Sequence, residues 1–119
     1  MRIAISATGK EIDSQVDPRF GRAQYILIVD QDDSIVEAID NSQNVNARGG
    51  AGIQTAKMLA DRKVELLISG HCGPNAFTTL KAAGIKVVTE QSGTVKEALA
   101  RLKGSEVTFA DQPDVEGHW

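Results

Sequence analysis

The stretch from Leu66 to Phe77 constrains this chain most. Its apolar run ends at Gly70, the turn that follows holds the only cysteine beside one of the two histidines, and Pro74 sits where a helix takes its first residue. It reads as strand, turn, helix. So sharp a reversal puts His71, Cys72 and the free amides of the new helix at one end of a sheet, where ligands bind in open α/β folds. The same residue types also fit a glycine-flanked turn in which Cys72 is a small buried hydrophobe.

The rest of the chain can be ordered around this unit. Ile3 to Ala7 is an apolar run read as a buried strand, with too little alternation to assign a wet face. Residues 8–22 form a polar loop longer than a hairpin needs, and loops of that length are often functional. Tyr25 to Val29 and Ile35 to Ile39 are strands rich in β-formers, joined by the acidic turn Asp30 to Ser34, whose spacing does not suggest a metal site. Ala47 to Gly52 leads into a helix with Ile53, Ala56, Leu59 and Ala60 at helical spacing. Val64 to Ser69 is the fourth strand, and the next helix carries Phe77 and Leu80 on one face and stops at Gly84. Ile85 to Val88 is the fifth strand. Thr94-Val95-Lys96-Glu97 then has the pattern of a capping box, opening a third helix with Val95, Ala98, Leu99 and Leu102 as its apolar stripe.

The order βββαβαβα defines an α/β chain with no internal repeat or linker. A meander of the first three strands followed by right-handed crossovers gives a mixed five-stranded sheet in which strand two runs against the other four. That count of directions brings the 8–22 loop and the turns at Gly49–Gly52, Ser69–Pro74 and Gln91–Gly93 to the same end. Helix amides there, with Lys10, Arg19, Arg22 and Arg48 nearby, make a mild anion trap.

Composition narrows the function. With 41% hydrophobic and 24% charged residues in 119, the chain should fold as one soluble domain. A net charge of -3 with scattered basic residues argues against nucleic-acid and polybasic membrane binding. Met1 to Ser6 is too short and too soon interrupted for a signal peptide, so the expected location is the cytoplasm. One cysteine excludes an internal disulfide and any site built on repeated Cys pairs.

Enzymatic alternatives can be weighed residue by residue. A two-metal nuclease of this strand order needs an acid in the first strand; Ile3-Ala4-Ile5-Ser6 offers none, and Asp13, Asp17 and Glu90 are irregularly spaced loop acids. A Cys-dependent enzyme is the other option, although neighbouring residues rarely place an imidazole on the adjacent thiol, and His118 would have to arrive from the tail. Arg48 to Ile53 does not supply a phosphate-binding loop, so its glycines read as close backbone approach. A regulatory module binding an anion or a protein partner is a third reading. What remains is one soft ligand, one or two imidazoles, helix amides and arginines, an inventory that suits an anionic metal-sulfur cluster. With fewer than four cysteines, such a cluster would be weakly ligated, shared between the subunits of a homodimer, or supplied with its own ligands. Cys72 at a helix N-terminus is expected to be a reactive, thiolate-prone ligand.

Asp17-Pro18-Arg19-Phe20-Gly21-Arg22-Ala23, Tyr25 to Asp30, Gly50-Ala51-Gly52-Ile53, Gly70 to Ala76, Ala83-Gly84-Ile85 and Gly93-Thr94-Val95 occur in this order. In this the sequence resembles the dinitrogenase iron-molybdenum cofactor biosynthesis family, which includes NifX, NifY and the C-terminal part of NifB. The resemblance covers residues 1–103, leaving 104–119 as a tail. It implies a three-layer, ribonuclease H-like fold with sheet order 3-2-1-4-5 and without nuclease activity, a role in binding or carrying metal-sulfur clusters, and cluster donor and acceptor proteins as partners. Carried onto this chain, it assigns Arg19, Phe20, Gly21, Arg22, Gly50, Gly52, Gly70, Gly73 and Asn75 to cofactor binding; the expected metal ligands, His71 and Cys72 of the turn and His118 of the tail, come from the chemistry of those residues instead. Cofactor-binding members often have a histidine where this chain has Arg19. A ligand is lost and the charge remains, so a simpler cluster or a related metal is expected rather than a true iron-molybdenum cofactor.

The tail ends in His118 and the single tryptophan, Trp119. Its sixteen residues, 104–119, can span roughly 50 Å. The expectation is that they lie along the domain or a neighbouring subunit and bring His118 towards the cluster site.

Overall fold

The computed structural model describes residues 2–30, 32–41, 51–104, 107, 109 and 110. Strand β1 (Ile3–Ala7) is central, antiparallel to β2 (Tyr25–Val29) with Ile5 opposite Leu27, and parallel to β4 (Leu66–Ile68) with Ile5 opposite Ile68. Outside these lie β3 (Ile35–Asp40), antiparallel to β2, and β5 (Lys86–Val88), parallel to β4. The sheet order is 3-2-1-4-5, the order expected of the ribonuclease H-like fold, and β2 alone runs against the other strands. Three helices complete the fold: α1 (Ala51–Asp61), α2 (Pro74–Ala82) and α3 (Val95–Lys103).

Both faces of the sheet are covered. Ala4, Ile26, Ile28, Ile39, Leu67 and Val87 pack with Ala56 and Leu59 of α1 and with Ala76, Phe77 and Leu80 of α2. Ile3, Ile5, Ala7, Leu27, Val29, Leu66, Ile68 and Val88 pack with Val95, Ala98 and Leu99 of α3. This is the three-layer fold, and it explains why β1 shows no alternation: a strand with helices on both sides has no wet face. A fully buried Leu or Ile contributes about 1.5 to 3 kcal/mol, so these two layers carry most of the stability.

Local signals set the helix ends. Thr94 accepts from the Glu97 N–H at 3.1 Å while the Glu97 carboxylate accepts from the Thr94 N–H at 2.9 Å, the reciprocal capping box. These Thr94 bonds hold the Glu97 carboxyl below its usual range. At the end of α2, Gly84 takes a φ of +77° and returns its N–H to the Lys81 carbonyl at 3.0 Å. The face of α1 differs from the expected stripe. Ile53 is half-buried and Ala60 exposed, while Gly52, Thr55, Ala56 and Leu59 are buried. The cause is the approach of α2, because a Cβ on Gly52 would stand 2.8 Å from the Ala76 Cβ.

Strand β5 gains a partner from the tail: Phe109 bridges Val88 in antiparallel fashion and the Ala110 N–H donates to the Val87 carbonyl at 2.8 Å. At this point the chain lies along the domain, as expected, but runs away from the loop end, because β5 points towards it. Gly50, Arg48 and His118 lie outside the described residues.

Candidate functional site

The loop between β1 and β2 crosses the C-terminal ends of β1 and β4 and meets the β4–α2 turn edge to edge. Arg19 and His71 form a parallel bridge, and the Phe20 N–H donates to the His71 carbonyl at 3.2 Å. The contact depends on glycine: a Cβ on Gly70 would lie 2.6 Å from the Pro18 Cα and 2.8 Å from its carbonyl oxygen. Two short extended segments therefore lie side by side, and in extended chain successive side chains point to opposite faces. Arg19 is exposed and Phe20 is 1% exposed; His71 is half-buried and Cys72 is 0% exposed. Arg19 and His71 thus share the outer face, and Phe20 and Cys72 share the core.

Polar bonds hold this arrangement. The Asp17 carboxylate accepts from the Arg19 N–H at 3.0 Å and the Gln24 N–H at 3.4 Å, so this acid shapes the loop. Asn41, buried at the end of β3, donates its amide to the carbonyls of Gly21 at 3.3 Å and Ala23 at 2.9 Å and accepts from the Thr55 hydroxyl at 3.3 Å. Further along, the Val16 N–H donates to the Gly93 carbonyl at 2.8 Å and the Val95 N–H to the Ser14 carbonyl at 2.9 Å. The Gln91 N–H donates to the Ser69 carbonyl at 3.2 Å. Arg101 pins the β5–α3 turn through its bonds to the Gln91 side chain and the Ser92 carbonyl. The 8–22 loop, the Ser69–Pro74 turn and the Gln91–Gly93 turn, expected to converge, are one hydrogen-bonded unit.

The chemistry on its outer face is cationic and donor-rich. Arg19 is exposed and Arg22 half-buried; Lys10 places its ammonium 5.5 Å above the Tyr25 ring. Gly73 is the N-cap of α2 with no side-chain cap, and the first intrahelical bond runs from the Phe77 N–H to the Gly73 carbonyl at 2.9 Å, so the Asn75 and Ala76 amides open the helix. Asn75 is exposed, whereas Gly21, Gly52, Gly70 and Gly73 are buried. Two of them are required by close packing, Gly52 against Ala76 and Gly70 against Pro18. Cys72 departs from the expectation of an accessible thiol: its sulfur lies in the core 3.8 Å from the Gly73 carbonyl oxygen. The alternation that turns His71 outward turns Cys72 inward. Among the described residues, no group of three or more His, Cys, Asp and Glu side chains could hold a metal ion.

The sequence reading missed four supporting residues: Ser6, Asn41, Thr55 and Ser69, all buried and polar. A detectable signal existed in Ser6 and Ser69, polar residues at the ends of apolar runs, since buried polar groups are almost always paired.

With this geometry in hand, likeness to known proteins becomes specific. The chain belongs to the dinitrogenase iron-molybdenum cofactor family, whose model matches residues 1–105. It is similar to the orange protein (ORP) of Desulfovibrio gigas, solved in its apo form, with 40% identity, 96% of each chain covered and a TM-score of 0.92. It is also similar to a Thermotoga protein described as a NifB candidate, at 37% identity over 91% of each chain with a TM-score of 0.78. An uncharacterized protein of Methanocaldococcus jannaschii is 27% identical over 89 residues, which cover 72% of this chain and 75% of that one. Among the described residues, no helix is long and apolar enough to cross a membrane.

Proposed function

We propose that the chain is a small non-catalytic protein of the cytoplasm that binds or carries an anionic metal-sulfur cluster, received from one protein and delivered to another. One observation carries the reading: Arg19 and His71 stand side by side on the outer face, beside the opening amides of α2, while the only thiol faces the core. Guanidinium, imidazole and amide donors stabilise a cluster's negative charge without supplying a full set of metal bonds, which favours a cluster that arrives with its own sulfides. The family's iron-molybdenum cofactor name and the apo description of the D. gigas relative support it. Arg19, Arg22, His71 and Asn75 would face the cluster; Phe20, Gly21, Gly52, Gly70 and Gly73 would shape the backbone around it. Cys72 would support the turn from within.

Anaerobic reconstitution with iron and sulfide, with and without molybdate, tests this. Charge-transfer absorption should survive desalting and fall at least tenfold in the Arg19→Ala/His71→Ala double variant, whose far-UV spectrum stays unchanged. A colourless protein, or equal retention by the double variant, overturns the reading.

A further inference from the structure

The two segments that carry the site, Asp17–Phe20 and Gly70–Cys72, close on one buried pair of hydroxyls. The Ser6 Oγ lies 2.8 Å from the Asp17 carbonyl oxygen and 2.8 Å from the Ser69 Oγ, and the Ser69 Oγ lies 3.4 Å from the His71 carbonyl oxygen. Both serines are 0% exposed. Each hydroxyl has one proton to give. Ser6 can donate to Asp17 or to Ser69, and Ser69 can donate to Ser6 or to the more distant His71 carbonyl. The two 2.8 Å contacts favour Ser6 donating to Asp17 while Ser69 donates to Ser6, a chain of bonds that ties the end of β4, where the turn to His71 begins, to the loop that carries Arg19. Removing either serine breaks that chain, although the hydroxyl left behind keeps a backbone carbonyl of its own. Hydrophobic packing alone gives no reason for serine at the ends of β1 and β4, whose neighbours are Ile5, Ala7, Leu67 and Ile68.

We infer that Ser6 and Ser69 form a clasp, a pair of positioning residues that fixes the spacing of Arg19 and His71 across the mouth of the sheet. Its importance for cargo rests on the cluster-binding reading; its existence as a mechanical unit does not.

The test uses the full chain labelled with nitrogen-15 and follows exchange of the Phe20 amide, whose bond to the His71 carbonyl joins the two segments. Ser6→Ala, Ser69→Ala and the double variant should each speed Phe20 exchange at least tenfold relative to the Leu27 amide in β2. The double variant should exchange no faster than the quicker single, because either substitution opens the same clasp. Leu99→Val, which weakens the opposite face of the sheet, serves as the control and should speed Phe20 exchange no more than Leu27 exchange. If Ser6→Ala does not fold, Ser69→Ala, which leaves Ser6 its bond to Asp17, carries the comparison alone. After reconstitution with iron and sulfide, the serine variants should retain at least fivefold less chromophore than Leu99→Val. Unchanged Phe20 protection, or a double effect equal to the product of the singles, overturns the clasp. A wild-type protein that takes up no chromophore while Phe20 responds as described overturns the cluster reading and leaves the clasp standing. Equal chromophore retention with altered Phe20 exchange overturns its role at the site.

Discussion

Gly70→Ala tests whether the close approach at Pro18 controls the loop end. The new methyl would stand 2.6 Å from the Pro18 Cα, 2.8 Å from its carbonyl oxygen and 3.1 Å from its carbonyl carbon, all backbone atoms that cannot rotate aside. The loop would have to move, and it is held on both sides by the Asp17 carboxylate bonds to the Arg19 and Gln24 amides. Overpacking of this kind costs about 1 to 3 kcal/mol. Displacing the loop also stretches the bond from the Phe20 N–H to the His71 carbonyl, worth about 1 kcal/mol. The total is about 2 to 4 kcal/mol, a large part of the roughly 5 to 15 kcal/mol that holds a domain together. Gly84→Ala is the internal standard: φ is +77° there but nothing lies within 4 Å, so the cost is left-handed strain alone, about 1 kcal/mol. Urea denaturation at a common slope would measure both. The reasoning fails if Gly70→Ala costs no more than Gly84→Ala, because the segments could then separate freely and the Arg19–His71 spacing would not be fixed by packing.

Cys72 should resist aromatic disulfide reagents in the native protein and react only as fast as the protein unfolds; stoichiometric labelling under native conditions would show that the turn exposes its thiol. In α3, Thr94→Ala should cost about 1 kcal/mol by removing the cap from the Glu97 amide, measured by thermal melting. The Glu97 carboxyl is held below its usual range by its Thr94 bonds, so its contribution is present above the unfolded pKa and is lost as pH falls through the folded one. The difference in Tm between wild type and Glu97→Gln should therefore be present at pH 7 and vanish well below pH ~4; a difference that persists in acid would mean the carboxylate has no part in it.

Much of the fold could be read from local chemistry. β1 and β2 match their apolar runs residue for residue, the capping box fixed the start of α3, and Gly84 marked the end of α2. Strand directions followed from loop lengths, and convergence of the loops followed from strand directions. Contacts between residues distant in sequence could not be read this way. Ser6 and Ser69 are 63 positions apart, and Asn41 reaches back 20 residues to Gly21. The face of α1 was misjudged for a similar reason: α2 approaches it at Gly52, and the buried Thr55 hydroxyl bonds to Asn41, long-range partners that no helical period announces.

The site residues show the same division between what sequence can name and what register decides. His71 and Cys72 are adjacent, as are Arg19 and Phe20, and residue type alone permits either member of each pair to face a ligand. In two extended segments joined in parallel, bridged residues point the same way, so a single register assigns all four side chains at once. The register with Arg19 beside His71 buries Phe20 and Cys72 and exposes two cationic or hydrogen-bonding groups; sliding it by one residue on both segments would bury the guanidinium and expose the phenyl ring and the thiol. That alternative would desolvate a guanidinium and leave a phenyl ring in water, both of which are unfavourable. The orientation of all four side chains is therefore decided by the packing of Phe20 and Cys72, and under the proposed cluster-binding role it is the guanidinium and the imidazole, not the thiol, that would meet the cargo.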